Sequence, residues 1–413
     1  MPSRLPVMVI CVTILIDAIG IGLILPVTPA LLREVTHEGL ANAAIWGGVL
    51  AALFAVMQFL FGPVLGSLSD RYGRRPVLLV SLLVVALDYM LMALAHTLTL
   101  LIIGRAIGGL ASATHATAAA YMADVSAPEN KARNFGLINA AFGLGFVLGP
   151  LAGAGLAEFG TRAPFWAAAA LAALNAVIGY FVLPETVTDR IRRPFDIRRA
   201  NPFGAFRAIG RLPGLPRFLI VYLLYCIALF SYPAVWPFFG EAQFGWNSRM
   251  VGISLAVFGV GMAVVQGFLI APMIRRFGDG RTVVIGMCID VASFVALGFI
   301  TSGTLALALT PLTALGGVVG PALTAVMSRR ARDDQQGELQ GVLASLNALN
   351  MVISPLVMTQ VFAHFTSGRT SVHLPGAPFL LAAALMVVCV LLFTTRTRLL
   401  PSGDRARHGG RES

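Results

Sequence analysis

Apolar residues in this chain come in runs separated by short polar clusters. Each run is roughly 20 residues long, the length at which a helix crosses a hydrocarbon core of roughly 30 Å. Few runs carry the polar stripe at helical period that a soluble amphipathic helix shows. The pattern predicts twelve spans, at about 6–30, 43–65, 76–96, 98–122, 134–157, 164–183, 217–240, 248–272, 282–301, 303–327, 338–363 and 376–395. The first run follows a single Arg4 and contains Asp17, with no small-residue cleavage site behind it. A removable signal peptide is therefore not expected.

Composition agrees with the pattern. Hydrophobic residues make up 57% of the 413 positions and charged ones 12%, with a mean hydropathy of +0.82. That is too little charge to cover a soluble protein of this size. The expected fold class is an all-α membrane protein. Cys11, Cys226, Cys288 and Cys389 all fall inside spans without metal-ligand spacing, so they read as packed thiols.

The net charge of +11 raises the question of nucleic acid, and its distribution answers it. Of the 30 Lys and Arg, 25 fall at the termini or in the even-numbered connections; Arg33, Arg162, Arg249 and Arg369 lie on the other side and Arg105 lies inside a span. Positive residues are retained on the cytoplasmic side, so both termini are expected in the cytoplasm. No aromatic-basic platform or zinc pattern accompanies the charge, and no nucleic-acid partner is expected.

The longest polar stretch, Pro184–Arg217, is rich in arginine and proline. It reads as a cytoplasmic linker, either lying on anionic headgroups through a short amphipathic helix near Phe203–Ile209 or serving as a plain tether. The expected organisation is a six-span bundle at 1–183, a basic linker at 184–216, a second bundle at 217–395 and a tail at 396–413. The bundles resemble each other at an offset of 205. Gly136–Pro150 (GLINAAFGLGFVLGP) matches Gly341–Pro355 (GVLASLNALNMVISP), and Gly66–Leu79 falls on Ala271–Val284, with Gly73 on Gly278. Two similar halves rocking about a central site is a common transporter design.

Four charges lie within the spans: Asp17, Asp88, Arg105 and Asp290. Each is expensive to place in a bilayer, and such residues usually face a wet cavity on an ion or substrate path. A buried ion pair between Asp88 and Arg105 is the alternative for those two; Asp17 and Asp290 have no second intramembrane cation. A carboxyl group in a partly dry cavity can exchange protons near neutrality.

Gly66-Ser-Leu-Ser-Asp-Arg-Tyr-Gly-Arg-Arg75 joins the second and third spans. Gly66 allows close helix approach and Gly73 a tight turn. Asp70 can take helix N-terminal amides or pair with an arginine, latching the halves in one state. In the fifth span Gly143, Gly145, Gly149, Pro150 and Gly153 form a small-residue stripe with a proline kink.

These motifs resemble the major facilitator superfamily, and within it the twelve-span drug/proton antiporters. The 66–75 loop is similar to the superfamily's cytoplasmic motif, Gly104-Arg105 with Gly108 and Gly109 to its fourth-span motif, and Gly145, Gly149, Pro150 and Gly153 to the antiporter motif. A closer likeness is to the tetracycline/proton antiporters. It is carried by Asp17-Ala-Ile-Gly-Ile-Gly-Leu with Pro26 and Pro29, Leu87-Asp88-Tyr89, Ala123-Asp124, Phe244-Gly-Trp-Asn-Ser248 with Gly252-Ile-Ser-Leu-Ala256, Gln266, and Gln336-Gly-Glu-Leu-Gln-Gly341.

The resemblance implies proton-coupling roles for Asp17, Asp88, Arg105 and Asp290, and a substrate path lined by Gln58 and Gln266 together with Asp17 and Asp290. It implies a cytoplasmic gate of Gly66, Ser69, Asp70, Arg71, Gly73, Arg74 and Asp124. The implied cargo is a magnesium–tetracycline chelate or similar amphipathic cation, exchanged for a proton across the bacterial inner membrane by a monomer. Magnesium would travel with the drug; no resident cofactor or metal is implied. One position departs from the family: its eighth-span histidine is Met262 here. That keeps a multidrug or metabolite exporter open as an alternative. His115, in the fourth span, is the other imidazole in reach, and is more simply an incidental polar residue. No nucleophile–base set, clustered metal ligands or Gly-Lys-Ser/Thr phosphate loop is visible, so neither an enzyme nor an ATP-driven pump is expected.

Overall fold

The computed structural model describes residues 5–112, 114–187, 204, 209–368 and 372–395. Most of the 184–216 linker, including nearly all of the candidate helix at 203–209, and the 396–413 tail lie outside these, as does the side chain of His115.

Eleven helical runs among the described residues are long and apolar enough to cross a membrane. They are Leu5–Thr36, Leu40–Tyr72, Arg74–Leu94, Leu98–Val125, Pro128–Phe159, Ala163–Val182, Pro216–Phe244, Ser248–Phe299, Gly303–Arg330, Asp333–Thr366 and Ala377–Thr394. The 52 residues of Ser248–Phe299 would reach about 78 Å as one rod, more than twice a hydrocarbon core. The backbone at Gly278 (φ 75°, ψ 163°) leaves helical geometry and divides the run at 248–277 and 279–299, giving twelve spans. Gly73 (φ 114°, ψ 149°) divides the second span from the third in the same way. These two glycines occupy matching positions of the repeat, and both hold a positive φ that a side chain would strain.

Several spans are not straight rods. The first continues past its expected end near residue 30, turning tightly at Leu25–Val27, where Pro26 and Pro29 interrupt the amide ladder, and running on to Thr36. The fourth breaks at Ser112 between helices Leu98–Ala111 and Thr114–Val125. The eighth widens into a π turn at Val265–Leu269 and the tenth tightens into a 3-10 turn at Ala314–Val318.

The loop ends fall into two groups. At one end, here the basic end, the 66–75 loop meets Asp124 and Glu185, and Arg329 pairs with Asp279 at 2.6 Å. At the opposite, far end, the halves join. Arg33 pairs with Glu241 at 2.7 Å and Arg249 with Glu158 at 3.4 Å, both across the halves. Backbones also approach closely there. A Cβ on Gly48 would stand 2.8 Å from the Pro355 carbonyl oxygen, and one on Gly252 2.6 Å from the Ala154 methyl.

Toward the basic end the same helices part. Gly66 lies 18 residues, about five turns, below Gly48, and so on the same face. Gly341, Gly337 and Gly136 stand at the same spacing from Thr359, Pro355 and Ala154. None of these four glycines has a heavy atom within 4 Å of where its Cβ would be. The interhalf faces therefore touch at the far end and open into a cleft toward the basic end.

Candidate functional site

Asp88, on the third span, is 2% exposed and ion-paired to Arg105 of the fourth. Gly104 and Gly108 make room for its carboxyl group; a Cβ on Gly108 would fall 2.6 Å from the Asp88 Cγ. The Arg105 guanidinium also lies over the Phe54 ring at 5.1 Å, a cation–π contact from the second span. The pair is incompletely satisfied, since Asp88 Oδ1 and Arg105 Nε have no hydrogen-bond partner. The sequence-level alternative of a buried ion pair is thus the arrangement found for these two residues.

Asp17 is half-buried on the first span and makes no hydrogen bond or ion pair among the described residues. The Tyr89 ring packs on Gly20, one turn along, leaving the acid beside an aromatic wall. Asp290 is 2% exposed on the ninth span, and its Oδ2 has no partner. Its carboxyl group is seated on Gly316 in the tight turn of the tenth span; a Cβ there would stand 2.7 Å from Oδ2. An isolated carboxylate so placed is costly, whereas the protonated acid or a nearby cation relieves the cost. Two of the three intramembrane acids are thus free of protein cations, and the third is not.

Gln58, half-buried on the second span, donates from Nε2 to the Ser112 carbonyl at 3.2 Å, taking the acceptor exposed by the fourth-span break. Gln266 is exposed inside the π turn of the eighth span. It shares a helix face with Gly252 and Gly259, which pack on the fifth span. Met262 packs on Gly317 of the tenth span, where a Cβ would be 2.8 Å from its sulfur.

The basic-end cluster is tied together within the first half. Arg74 pairs with Asp70 at 2.5 Å and with Asp124 at 3.2 Å, and donates to the Ser69 hydroxyl at 2.7 Å. Arg71 instead lies out over the Tyr72 ring at 5.1 Å. Asp70 does not take the helix N-terminal amides. Glu185, just past the sixth span, accepts from the Arg74 and Arg75 backbone N–H groups at 2.9 and 3.2 Å. Residue spacing gave no sign of this, because donor and acceptor are far apart in the chain. Gly73 is needed here as well, since a Cβ would collide with the Glu185 carboxylate. Removing this cap with Glu185→Ala is expected to lower stability by roughly 1 kcal/mol, read as a lower thermal unfolding midpoint in detergent.

The antiporter stripe of the fifth span packs on the first. A Cβ on Gly145 would lie 2.6 Å from the Leu15 carbonyl oxygen, and one on Gly149 2.7 Å from that of Ile19; Gly153 abuts Leu23. A Cβ on Gly22 would in turn meet the Pro150 ring at 2.7 Å.

A family model described as Major Facilitator Superfamily matches residues 10–355 and 218–413. The Escherichia coli tetracycline resistance protein of class C is 42% identical over 390 residues, which is 94% of this chain and 96% of that one. The crystal structure of the human organic anion transporter MFSD10 (TETRAN) superposes with a TM-score of 0.71 at 27% identity, covering 95% of this chain and all of the other. A bacterial homologue of the lysosomal transporter Spinster, solved inward-facing and occupied, gives 0.75 at 14% identity over 95% and 97% of the two chains, a likeness of fold. The chain is a multi-pass membrane transporter that belongs to the Major Facilitator Superfamily, among the tetracycline resistance proteins.

Proposed function

We propose that the protein exports tetracycline, carried as a magnesium chelate, or a similar amphipathic cation in exchange for a proton. The observation that carries this reading is the pair of intramembrane acids, Asp17 and Asp290, without a protein cation among the described residues. Each can hold either a proton or a cationic cargo, and competition between the two gives exchange without a second energy source. Identity of about 40% to three Escherichia coli tetracycline resistance proteins supports the drug class. In this reading the basic end faces the cytoplasm of a bacterial cell, with both termini inside, and the asymmetry of the positive residues supports that orientation. The cleft then opens inward, ready to load drug, and a single chain with its two six-span halves suffices.

Inverted membrane vesicles with an imposed pH gradient provide the test. Radiolabelled tetracycline is expected to accumulate, more with magnesium than without, and to leak away when the gradient is dissipated. Asp17→Asn and Asp290→Asn are each expected to abolish accumulation. Uptake that persists in both variants, or that ignores the gradient, removes the proposed coupling.

One observation favours a different cargo on the same fold. Met262 puts an apolar thioether where related antiporters carry a titratable ring, and it is packed against Gly317. A multidrug or metabolite exporter fits that change. A resistance assay over a drug panel separates the readings, tetracycline resistance alone supporting the first.

A further inference from the structure

The irregular turns of the eighth and tenth spans touch each other. Val265, at the start of the π turn, is buried with Ala314 and Val318 from the two ends of the 3-10 turn, and Met262 and Leu269 pack around them. Within the 3-10 turn, adjacent glycines face two ways. Gly316 carries the Asp290 carboxyl group and Gly317 carries the Met262 sulfur. The π turn itself presents Gln266. A continuous packed path therefore runs from Asp290 through Gly316 and Gly317 to Met262 and Val265, and Gln266 follows Val265 in the chain. Mid-helix departures from α geometry often mark hinges.

The first half repeats the plan. At the 205 offset Met57 stands for Met262, and Ser112 for Gly317. A Cβ on Gly109 would lie 2.8 Å from the Met57 Cβ. Asp88 sits on Gly108, one turn before the Ser112 break, and Gln58 binds the carbonyl that the break exposes. Both halves thus seat a carboxylate on a glycine of a broken helix, with a glutamine on the neighbouring span, though the acids and the glutamines fall outside the 205 offset. Of the two carboxylates so seated, Asp88 has a cation and Asp290 has none among the described residues.

We propose that Gly316 and Gly317 are positioning residues that couple the occupancy of Asp290 to the placement of Gln266. This rests on the exchange reading above. A neutral acid stays in the dry seat on Gly316. An ionised one is driven toward water or a cation, and its departure frees the tight turn. Because Met262 and Val265 bear on that turn, the π turn and Gln266 shift with it. Proton site and drug path then behave as one two-state element biased by either ligand.

Purified protein in liposomes tests this through Gly317→Ala, whose new methyl group presses on the flexible end of Met262. Tetracycline binding and gradient-free counterflow are expected to stay near wild type, while gradient-driven accumulation falls by about tenfold. The Gly317→Ala/Met262→Ala double variant, which restores the space, is expected to recover most of the loss. A proportional fall in all three measurements, no change in any, or no recovery in the double variant overturns the inference. A wild-type protein without gradient-driven uptake instead overturns the exchange reading. A second measurement leaves the glycines intact. Phe268 is 76% exposed beside Gln266, and Phe268→Cys accepts an environment-sensitive dye. Asp290→Asn, mimicking the protonated acid, is expected to shift the dye's emission; an unchanged spectrum overturns the coupling.

Discussion

Cysteines introduced by Gly66→Cys and Gly341→Cys are expected to cross-link during turnover and stop transport until reduced. The expectation follows from the spacing along the second and eleventh spans. These helices run antiparallel, and Gly48 meets Pro355 and Thr359 at the far end. Eighteen residues toward the basic end, Gly66 stands on the same face as Gly48, while Gly337 and Gly341 stand on the faces of Pro355 and Thr359. Closing the cleft about the far-end contact brings Gly66 onto this glycine pair as Gly48 already lies on its counterparts. A disulfide needs Cα atoms about 4.4–6.8 Å apart, so it reports the closed basic end and not the open one. Substrate and a pH gradient should speed its formation. If oxidant under turnover conditions never links the pair, the two faces do not meet and the rocking geometry is wrong.

The second large effect separates the intramembrane acids from one another. Asp88→Asn strands the Arg105 guanidinium in a buried position, and breaking such a pair costs about 3–5 kcal/mol. Folded yield in detergent should drop sharply. Neutralising both partners, with Asp88→Asn and Arg105→Gln, should recover much of the stability without recovering transport. Asp290→Asn removes a group with no cation to strand, so the protein should fold at least as well as wild type and fail only in gradient-driven uptake. Equal destabilisation by Asp88→Asn and Asp290→Asn would contradict this division between a structural pair and an exchange site.

Much of this architecture is written in the chain as hydropathy. Span count, the two halves and the correspondence of Gly73 with Gly278 follow from segment length and repetition, which need no knowledge of partners. The Asp88–Arg105 pair was foreseeable because a lone intramembrane cation has few choices. The breaks at Ser112, Val265–Leu269 and Ala314–Val318 were not legible. Apolar residues satisfy a lipid-facing helix whichever turn they occupy, so composition does not record a local change of pitch. The Gly316-Gly317 doublet was a signal in principle, flanked by Pro311 and Pro321, but small residues in a span usually mean close packing. The Glu185 cap was hidden for another reason. Its partners, Arg74 and Arg75, come from a different span, and only the folded bundle brings them within reach.

The far-end seal also bears on energetics. Of its two ion pairs, Arg249–Glu158 is well exposed to solvent and Arg33–Glu241 partly so, and exposed bridges contribute little. The halves are held there by backbone lying close at Gly48 and Gly252 and by buried apolar packing of Leu32, Ala43 and Ala44 with Phe238 and Phe362. The basic end keeps Gly66, Gly337, Gly341 and Gly136 on the matching faces, so its closure can also be made by close backbone approach. A carrier with nearly level end states can be tipped by a single bound hydrogen ion, whose modest free energy would be wasted against a lopsided pair of locks.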